Sequence, residues 1–371
     1  MKQTSESENL ILEVTDLARG GAGVARDEGG RVVFIPRSAP GDRLRVRIVR
    51  AEKRYAQGEI LEILTASPDR VTPACPVFGR CGGCEWQHLP YERQWATKVN
   101  GVKLSMERMK VPFTGKIEEL PAERIWNYRN RVQLRGFGSQ IGYYAPESHD
   151  LVPIESCPIA REEINAEIPR IREEGARLRK PYKVEIEVLA DRVRTTWNSS
   201  HAAGGFRQVH DEQNEKLKSW VDSVVPSNVP LLDLFGGNGN LSLGLASRMT
   251  EVHCVDVSSP AGNPEGTPSR YHFHRSAVLP WVLKNRAAAP GGVAITDPPR
   301  EGLSQDRGEI ANALESRGIT GWVLVGCDID SWMHDIFDLT RGGWVLQRVG
   351  VLDLFPQTHH VEGLAFMTRR D

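Results

Sequence analysis

Several side chains with binding or catalytic chemistry follow apolar segments in the C-terminal half of the chain. The segment LLDLFGGNGNLSL, residues 231–243, is an apolar run that contains a carboxylate and opens directly into glycines. Glycines let a backbone approach a small molecule without Cβ clashes. The pattern predicts a buried strand, a tight turn and a helix that starts at Asn240 with its N-terminus toward the ligand. A purely structural turn would use the same residues, so this spacing alone is weak evidence for a ligand.

Three further apolar runs also end in polar groups. Residues 252–257 carry Asp256 near their end, residues 293–296 lead into Asp297-Pro298-Pro299-Arg300, and residues 322–325 lead into Gly326-Cys327-Asp328. In an open parallel sheet, ligands bind outside the carboxyl ends of the strands, so we expect these side chains to face one site. An acidic side chain such as Asp256 suits hydrogen bonds from a ribose diol. A nucleotide-binding α/β sheet is therefore predicted.

Four of the six cysteines have the spacing of a metal-cluster site. Cys75, Cys81 and Cys84 form a C-x5-C-x2-C pattern in a loop containing glycine and proline, and Cys157 in IESCPIA is a distal fourth candidate. Four thiolates suit an iron–sulfur cluster. They would satisfy zinc equally well. A chance group of free thiols is the remaining interpretation.

The first 66 residues have the pattern of a small β-protein. Residues 10–66 alternate apolar and polar side chains, and Gly-Gly and Pro-Gly turns separate short β-branched runs. This pattern predicts an antiparallel barrel. One strand and the turn after it are basic, with Arg43, Arg45, Arg47, Arg50, Lys53 and Arg54. These side chains form either an ordinary solvated strand face or an RNA-binding surface of the oligonucleotide-binding (OB) type.

A second candidate RNA surface lies between the third and fourth cysteines of the pattern. The segment RIWNYRNRVQLRGFG, residues 124–138, interleaves arginines with Trp126, Tyr128 and Phe137. Arginines suit phosphate contacts, and aromatic rings suit base stacking. An amphipathic strand whose aromatic rings are core residues would have the same pattern, so both interpretations stay open.

Composition limits the partners and the compartment. The chain has 47 basic and 48 acidic residues, so a polyanion would be held by local basic patches. No apolar run reaches membrane-spanning length, and the first residues lack a signal-peptide core. We therefore expect a cytoplasmic protein without a membrane partner, in which cysteines serve as metal ligands or reactive thiols.

These elements predict a multidomain chain with ample core, since it has 371 residues. An OB-like β-barrel would span residues 1–67, a central α+β domain with the cysteine loop residues 68–204, and a Rossmann-like α/β domain residues 205–371. In the central domain, helices are predicted from Tyr91 to Lys110 and, as a charged surface helix, from Glu162 to Leu178. The protein is expected to be a monomer.

Taken together, the motifs resemble the RNA 5-methyluridine (uracil-C5) methyltransferase family. The similarity runs through the barrel, which resembles a TRAM domain, the cysteine loop, GFRQVH (205–210), LDLFGGNGNLSL, TDPPREGL, the strand end at Cys327, and FPQTHHVE (355–362). It covers nearly the whole chain. Because the chain has both the barrel and the four cysteines, it is most similar to the branch that methylates 23S ribosomal RNA, although archaeal tRNA enzymes share this layout.

The resemblance implies roles for individual residues. It implies a [4Fe-4S] cluster on Cys75, Cys81, Cys84 and Cys157, and S-adenosylmethionine (SAM) contacts from Gln208, Phe235, Asn240, Asp256 and Asp297. It implies that Cys327 is the nucleophile and Glu362 the base of a SAM-dependent methyltransferase. Ribosomal RNA is the favoured partner and tRNA the alternative.

The implied chemistry accounts for these residue types. Uracil C5 is a poor nucleophile until a thiolate adds to C6 and converts the ring to an enolate. A carboxylate must then remove the C5 proton so that the thiol can leave. Asp297 suits orientation of the uracil or the cofactor, and Arg300 suits a phosphate or the enolate oxygen. The target base has to be turned out of the RNA into the pocket.

The chain departs from the family pattern at several positions. His210 stands where Asn is common, and Ser276 stands about where an acidic or amide side chain usually contacts the cofactor. After Asp256 the sequence is rich in Pro and Gly where relatives have a full helix, which favours weakened cofactor binding. The segment GCDIDSWMHDI keeps only Cys327 and Asp335 of the usual nucleophile motif.

Two other functions compete with uracil-C5 methylation. Amino-group methyltransferases carry a D/N-P-P motif on the same strand, but they follow it with a stacking aromatic where this chain has Arg300, and they need neither Cys327 nor Glu362. A non-catalytic RNA-binding or ribosome-assembly factor is favoured by the segment after Asp256 and disfavoured by the retention of those two residues.

Overall fold

The computed structural model describes residues 9–190, 192–199, 207–285 and 289–370. The chain divides into two compact units. The first comprises Met1–Gly101, Arg124–Ser199 and Phe355–His359, and the second comprises Val102–Glu123, Ser200–Leu354 and His360–Asp371. The predicted boundary at 204/205 and the residues Gly205 and Phe206 lie outside the described residues. The three predicted domain ranges stay predictions.

A six-stranded sheet forms the N-terminal part of the first unit. Its strands are β1 Asn9–Glu13, β2 Asp16–Leu17, β3 Gly23–Arg26, β4 Val32–Ile35, β5 Arg43–Ala51 and β6 Tyr55–Thr65, in the order β1-β5-β6-β4-β3-β2. Only Val14 and Thr15 separate β1 from β2, so one run of chain pairs with β5 at one end of the order and with β3 at the other. This pairing closes the sheet into the predicted barrel. The expectation that all its strands are antiparallel is wrong, because β4 pairs with β6 in parallel. Leu44 and Val46 of β5 point into its core.

A five-stranded antiparallel sheet completes the first unit. Before this sheet the chain forms helix α1, Tyr91–Met109, and strand β7, Ile117–Leu120, and β7 pairs in the eight-stranded sheet described below. The chain then forms β8 Arg131–Phe137, β9 Gln140–Tyr144, β10 Leu151–Pro153, helix α2 Glu162–Gly175, β11 Tyr182–Val188 and β12 Val193–Trp197. The strand order is β10-β9-β8-β11-β12. The expectation that α2 lies on the surface is wrong for one face. Ile164, Ile168 and Ile171 recur at helical spacing and join the core of the sheet.

The second unit is built on an eight-stranded sheet. After α3 Asp211–Val224 come β13 Leu231–Leu234, β14 Val252–Asp256, β15 Tyr271–Arg275, α4 Val278–Lys284, β16 Val293–Thr296, α5 Arg307–Ser316, β17 Gly321–Gly326, α6 Ile329–Arg341, β18 Trp344–Leu352 and β19 Glu362–Arg369. The order is β15-β14-β13-β16-β17-β19-β18-β7. The strands from β15 to β17 in this order are parallel, and β19 is antiparallel to both neighbours. This arrangement confirms the predicted Rossmann-like sheet.

The strand order also locates the ligand-binding crevice. The chain runs from β13 outward through β14 to β15 and then returns to the other side of β13 with β16. A reversal of this kind leaves a crevice at the carboxyl ends of the two strands where the order turns. The polar side chains predicted at the strand ends therefore lie at the edge of the sheet where a ligand is expected to bind.

Within the described ranges, no helix combines the length and the apolar character needed to cross a membrane.

Candidate functional site

The turn after β13, residues 235–239, is here called the glycine turn. Its first residue, Phe235, has φ of 64°, in the left-handed region that favours glycine. The Phe235 N–H donates to the carbonyl of Val255 at 2.9 Å. Such strain persists at a non-glycine residue only where the surroundings hold it, and it clusters at ligand sites.

Two glycines of this turn are required by what lies beneath it. A Cβ on Gly236 would lie 2.5 Å from Asp233 Cγ, and one on Gly239 would lie 2.3 Å from Tyr271 Oη. Gly237 differs, since a Cβ there would meet only Ser258 Oγ at 4.0 Å. Gly237 itself has φ of 55°, in the region that favours glycine. The structural interpretation of the glycine spacing therefore holds at all three positions, and Gly237 is the one at which the space around a Cβ is also open.

The expectation of a helix starting at Asn240 is wrong. The chain continues as a turn, and a 3₁₀ helix of 6 residues covers Leu243–Arg248. The Ser242 hydroxyl does not cap this helix, because it donates instead to the buried carboxylate of Asp233. A helix this short offers little dipole to a ligand. Ligand contacts must therefore come from the glycine turn and from side chains.

Asn240 is held by a residue that sequence reasoning missed. Asn240 Nδ2 donates to Asn214 Oδ1 at 2.8 Å, and Asn214 Nδ2 donates to Asn240 Oδ1 at 3.0 Å. This reciprocal pair ties α3 to the end of the glycine turn. The available signal was a polar side chain on the buried face of an amphipathic helix, beside Leu217 and Val221.

The loop before α3 carries Gln208 and His210, and both side chains are buried. His210 is the N-cap of α3, and its Nδ1 accepts from the Gln213 N–H at 3.4 Å. The departure from Asn at this position is therefore tolerated because histidine can also accept a capping hydrogen bond.

Asp256 ends β14 next to the glycine turn. Its Oδ1 accepts two hydrogen bonds of 2.6 Å from Ser258, one from the N–H and one from the hydroxyl. These bonds orient the carboxylate and leave Oδ2 without a partner among the described residues. The arrangement suits the predicted contact with a ribose diol.

The Pro- and Gly-rich segment after Asp256 is tied down by side chains in place of a helix. Asn263 Oδ1 accepts from the Phe273 N–H at 3.0 Å, and Asn263 Nδ2 donates to the Tyr271 carbonyl, as a neighbouring strand would. Ser259 Oγ donates to the carbonyl of Gly237 at 2.7 Å. The segment is thus bonded to the glycine turn itself.

The Asp297-Pro298-Pro299-Arg300 loop is held from α6. Ser331 Oγ donates to the Arg300 carbonyl at 2.6 Å, and the Leu303 N–H donates to Asp335 Oδ2 at 2.8 Å. Asp335 is buried and forms an ion pair with Arg307 at 2.8 Å. The role of Asp335 is therefore to fix this loop.

Cys327 and Glu362 come together through the register of two strands. In the antiparallel pair β17–β19, Gly326 is opposite Gly363. The next position of the same register sets Cys327, which follows β17, opposite Glu362, which begins β19. Opposed residues of antiparallel strands share a face, with Cβ atoms about 4.5–5.5 Å apart.

The two opposed glycines make room for Trp332 of α6. A Cβ on Gly326 or on Gly363 would lie 2.7 Å from the Trp332 ring. Trp332 is buried, and its Nε1 donates to the Leu324 carbonyl at 3.2 Å. The indole therefore packs under the strand ends that carry the candidate nucleophile and base.

The ionisable groups of the site act on one another. Burial raises the pKa of the Cys327 thiol to about 12, and the charges of Glu362 and Asp297 add to this shift while Arg300 opposes it. Burial, and then Asp297, raise the pKa of Glu362, which is 2% exposed. Burial, and then Asp256, raise the pKa of Asp297. Burial therefore favours the neutral forms of both Cys327 and Glu362 in the free protein.

The four cysteines of the predicted cluster lie in the first unit, free and partly exposed. The charge of Cys157 raises the pKa values of Cys75, Cys81 and Cys84, so the fold gathers all four. Burial is the larger cause and raises the pKa of Cys81 to about 11 and that of Cys84 to about 12. Among the described residues, no group of three or more His, Cys, Asp or Glu side chains is arranged to hold a single metal ion.

The donor set of four thiols fits an iron–sulfur cluster, in which each thiolate binds one iron. It would satisfy a four-coordinate zinc equally well.

The basic strand of the barrel is largely neutralised by its neighbours. Arg45 pairs with Glu62 at 3.1 Å, Arg47 with Glu59 at 2.5 Å and Arg50 with Glu52 at 3.0 Å. These pairs are exposed, so each contributes little to stability. An RNA phosphate would compete with them, whereas Arg43 has no ion pair in the described part of the chain.

Some residues of the segment 124–138 are core residues, and others are exposed and suit RNA binding. Tyr128 is buried, and the buried Arg131 bonds Glu185 at 2.7 Å, so these residues belong to the core. Phe137 is 55% exposed, and the Arg135 guanidinium lies 5.6 Å from the centre of the Tyr144 ring. The RNA-binding interpretation therefore applies only to the end of the β8–β9 hairpin.

Comparison with known proteins supports the organisation described above. Residues 8–61 match the family model of the TRAM domain, so the predicted resemblance of the barrel is confirmed. The chain has the fold of the Pyrococcus abyssi tRNA (uracil-54, C5)-methyltransferase in complex with S-adenosyl-L-homocysteine. The TM-score is 0.73 and the identity 20%, over 96% of this chain and 99% of that one.

Relatives align with almost the whole chain. An uncharacterized RNA methyltransferase of Bdellovibrio bacteriovorus is 30% identical over 376 residues, which covers 96% of this chain and 94% of that protein. The 23S rRNA (uracil(1939)-C(5))-methyltransferase RlmD of Shewanella piezotolerans is 27% identical over 435 residues, which covers 97% of this chain and 95% of that protein.

Proposed function

The chain belongs to the RNA uracil-C5 methyltransferase family, and from this premise we propose that it transfers a methyl group from SAM to C5 of a uridine in RNA. The observation that carries the proposal is the register of β17 and β19, which sets a thiol opposite a buried carboxylate. Uracil-C5 methylation requires this pair of groups, and methylation of an amino group requires neither.

The proposed substrate is ribosomal RNA of the 23S type, with tRNA as the alternative. The support for ribosomal RNA is the full-length alignment with relatives named for it. The solved tRNA enzyme shares the fold at lower identity, which does not distinguish the two substrates.

The proposed SAM site is the crevice beside β13. Asp256 would accept hydrogen bonds from the ribose, and Phe235 and the open side of Gly237 would line the turn. Gln208, Asn240 and Asp297 complete the proposed set. When bound, SAM supplies an electrophilic methyl group on a sulfonium.

The first proposed task of the chain is to make the thiol a nucleophile. Because the pKa of Cys327 is raised to about 12, its proton must leave as the bond between sulfur and C6 forms. The addition places negative charge on the uracil ring. Arg300, whose charge already lowers the pKa of Cys327, is suited to stabilise that charge.

The second proposed task is removal of the C5 proton after methyl transfer. Glu362 would accept this proton, the bond between C6 and sulfur would break, and the sulfur would regain a proton. Each turnover then releases one proton net. Glu362 must be ionised for this step, so the charge on Asp297 that raises its pKa also makes it a stronger base.

We further propose that Cys75, Cys81, Cys84 and Cys157 hold a [4Fe-4S] cluster. The support is the set of four partly exposed thiols and their spacing in the sequence. No step of the methyl transfer described above requires the cluster.

The proposed function is tested by tritium release. Purified protein is incubated with SAM and either a 23S rRNA domain or a tRNA transcript, each carrying 5-[³H]-uridine. Release of tritium to water that requires SAM is expected with the ribosomal RNA. Release from tRNA alone would reverse the substrate assignment. Methyl transfer to RNA without tritium release would contradict C5 chemistry.

A further inference from the structure

Three polar side chains beneath the glycine turn have no part in the reaction proposed above. Asp233 of β13, Ser242 after the turn and Tyr271 of the edge strand β15 are each 0% exposed. Buried polar groups destabilise a fold unless they are hydrogen-bonded. What these three bond to therefore indicates what they do.

The three side chains form one chain of hydrogen bonds. Ser242 Oγ donates to Asp233 Oδ2 and lies 2.6 Å from Tyr271 Oη. When Asp233 is ionised, the single proton of the Ser242 hydroxyl goes to the carboxylate, so the Tyr271 hydroxyl donates to Ser242. Donors in series toward a carboxyl group polarise and strengthen one another.

The glycine turn rests directly on both ends of this chain. The short distances from a Cβ at either position show that Gly236 lies against the Asp233 carboxyl group and Gly239 against the Tyr271 hydroxyl. Between these glycines, the Gly237 carbonyl is bonded by Ser259, which lies in the segment that leads to β15. The turn is thus supported from below at both ends and at its centre.

We propose that Tyr271 is a positioning residue for the cofactor, whose hydroxyl acts through Ser242 and Asp233 to hold the glycine turn in the conformation that binds SAM. This inference rests on the proposed function, which puts SAM on the turn. Tyr271 enters from the strand that follows the Pro- and Gly-rich segment. Its contact therefore gives the turn support on the side where the family pattern has a full helix.

The test compares two tyrosines. Tyr271→Phe keeps the ring and removes the hydroxyl. It should raise the KM for SAM and the Kd for S-adenosyl-L-homocysteine about three- to tenfold, as expected for one lost hydrogen bond, and should change kcat less than about twofold. Tyr182→Phe is the matched control, because the Tyr182 hydroxyl donates to the Gly138 carbonyl at 3.0 Å in the first unit. It should leave both constants unchanged.

A second variant keeps the test decisive if Tyr271→Phe does not fold. Ser242→Ala removes the middle of the chain and should weaken S-adenosyl-L-homocysteine binding at least as much. Where Tyr271→Phe folds, the double variant Tyr271→Phe/Ser242→Ala should bind no more than about twofold more weakly than Ser242→Ala alone, because the tyrosine acts through the serine. Additive losses, or unchanged binding in either single variant, would overturn the inference.

The failure of the proposed function gives a different result. Wild-type protein that binds S-adenosyl-L-homocysteine but releases no tritium contradicts uracil-C5 methylation, while the binding comparison still decides the role of Tyr271. Wild-type protein that does not bind S-adenosyl-L-homocysteine overturns both.

Discussion

The carboxyl edge of the eight-stranded sheet and the cysteine loop both gather side chains from distant parts of the chain, but they are held differently. At the sheet edge, the β17–β19 register sets Cys327 opposite Glu362. In the cysteine loop the backbone is held, since the Cys75 N–H donates to Gln87 Oε1 at 3.0 Å and the Cys157 N–H to Asn165 Oδ1 at 2.8 Å. Among the described residues, no group of three or more His, Cys, Asp or Glu side chains is placed to hold a metal ion.

The difference indicates which site depends on something outside the chain. Groups placed by strand register are preorganised by the fold alone, so they need no ligand to stay in position. Partly exposed thiols whose pKa values are raised are deprotonated when a metal group binds them, so their stabilisation depends on that group. Loss of that group should therefore damage the first unit and spare the sheet edge.

The largest expected effect is at the nucleophile. Cys327→Ala should lower methylation on the order of 10⁴-fold or more, because the uracil enolate cannot form without the addition of sulfur. No denaturation-resistant complex with RNA should appear on a gel. Binding of S-adenosyl-L-homocysteine is the control and should be unchanged. A Cys327→Ala protein that still methylates C5 would exclude the mechanism.

The base should give the opposite result in the covalent assay. Glu362→Gln should still permit addition and methyl transfer but slow the removal of the C5 proton by about 10²–10⁴-fold. Protein linked to methylated RNA should therefore accumulate and be visible on the same gel. Nearly normal turnover would mean that Glu362 is only a structural carboxylate and would remove the base assignment.

The cysteine loop tests most directly whether the first unit depends on a bound metal group while the sheet edge does not. Protein purified without oxygen should contain iron and sulfide, and Cys81→Ser should lose both and lower the melting temperature. Its Kd for S-adenosyl-L-homocysteine should stay within about twofold of wild type, because the sheet edge is held by its own register. Stoichiometric zinc without iron would contradict the cluster. A loss of cofactor binding in Cys81→Ser would show that the sheet edge also depends on the cysteine loop.

A smaller effect is expected from the carboxyl group beneath the glycine turn. Burial raises the pKa of Asp233 from 3.8 to about 7, so between these values the folded protein keeps a proton that the unfolded chain releases. The free energy of unfolding should therefore fall as the pH rises through this interval, by at most about 4 kcal/mol. Asp233→Asn should lack this fall. Denaturant unfolding at pH 5 and pH 8 measures the part of this fall that lies above pH 5, at most about 3 kcal/mol. Parallel losses in both proteins would contradict the shift.

The smallest effects are expected on the barrel. Arg43→Ala should weaken RNA binding a few-fold and reduce the salt dependence of the binding constant by about one counterion. Removing a whole ion pair with Arg47→Ala and Glu59→Ala should change RNA affinity less than about twofold, because the pair carries no net charge. A filter-binding salt titration compares the two. Equal losses would show that the ion pairs open to bind RNA.

Local patterns in the sequence were sufficient to predict the barrel and the polar side chains at the carboxyl edge of the large sheet. Alternation predicted the barrel, and apolar runs that end in polar groups predicted where Asp256, Asp297 and Cys327 leave their strands. These features depend on backbone periodicity and on the rule that parallel strands share a carboxyl edge. Both act over a few residues and are therefore visible in the order of residue types.

Tertiary structure decided which groups meet. Nothing local in the sequence sets Glu362 opposite Cys327, since that depends on the register between strands that are distant in sequence. The same holds for Ser242, which bonds downward to Asp233 where sequence periodicity predicted the start of a helix. It also holds for Tyr271, which reaches the glycine turn from another strand. Hydrogen-bond partners and strand registers are chosen by packing among distant segments, so the sequence determined the residue types and the fold determined their pairing.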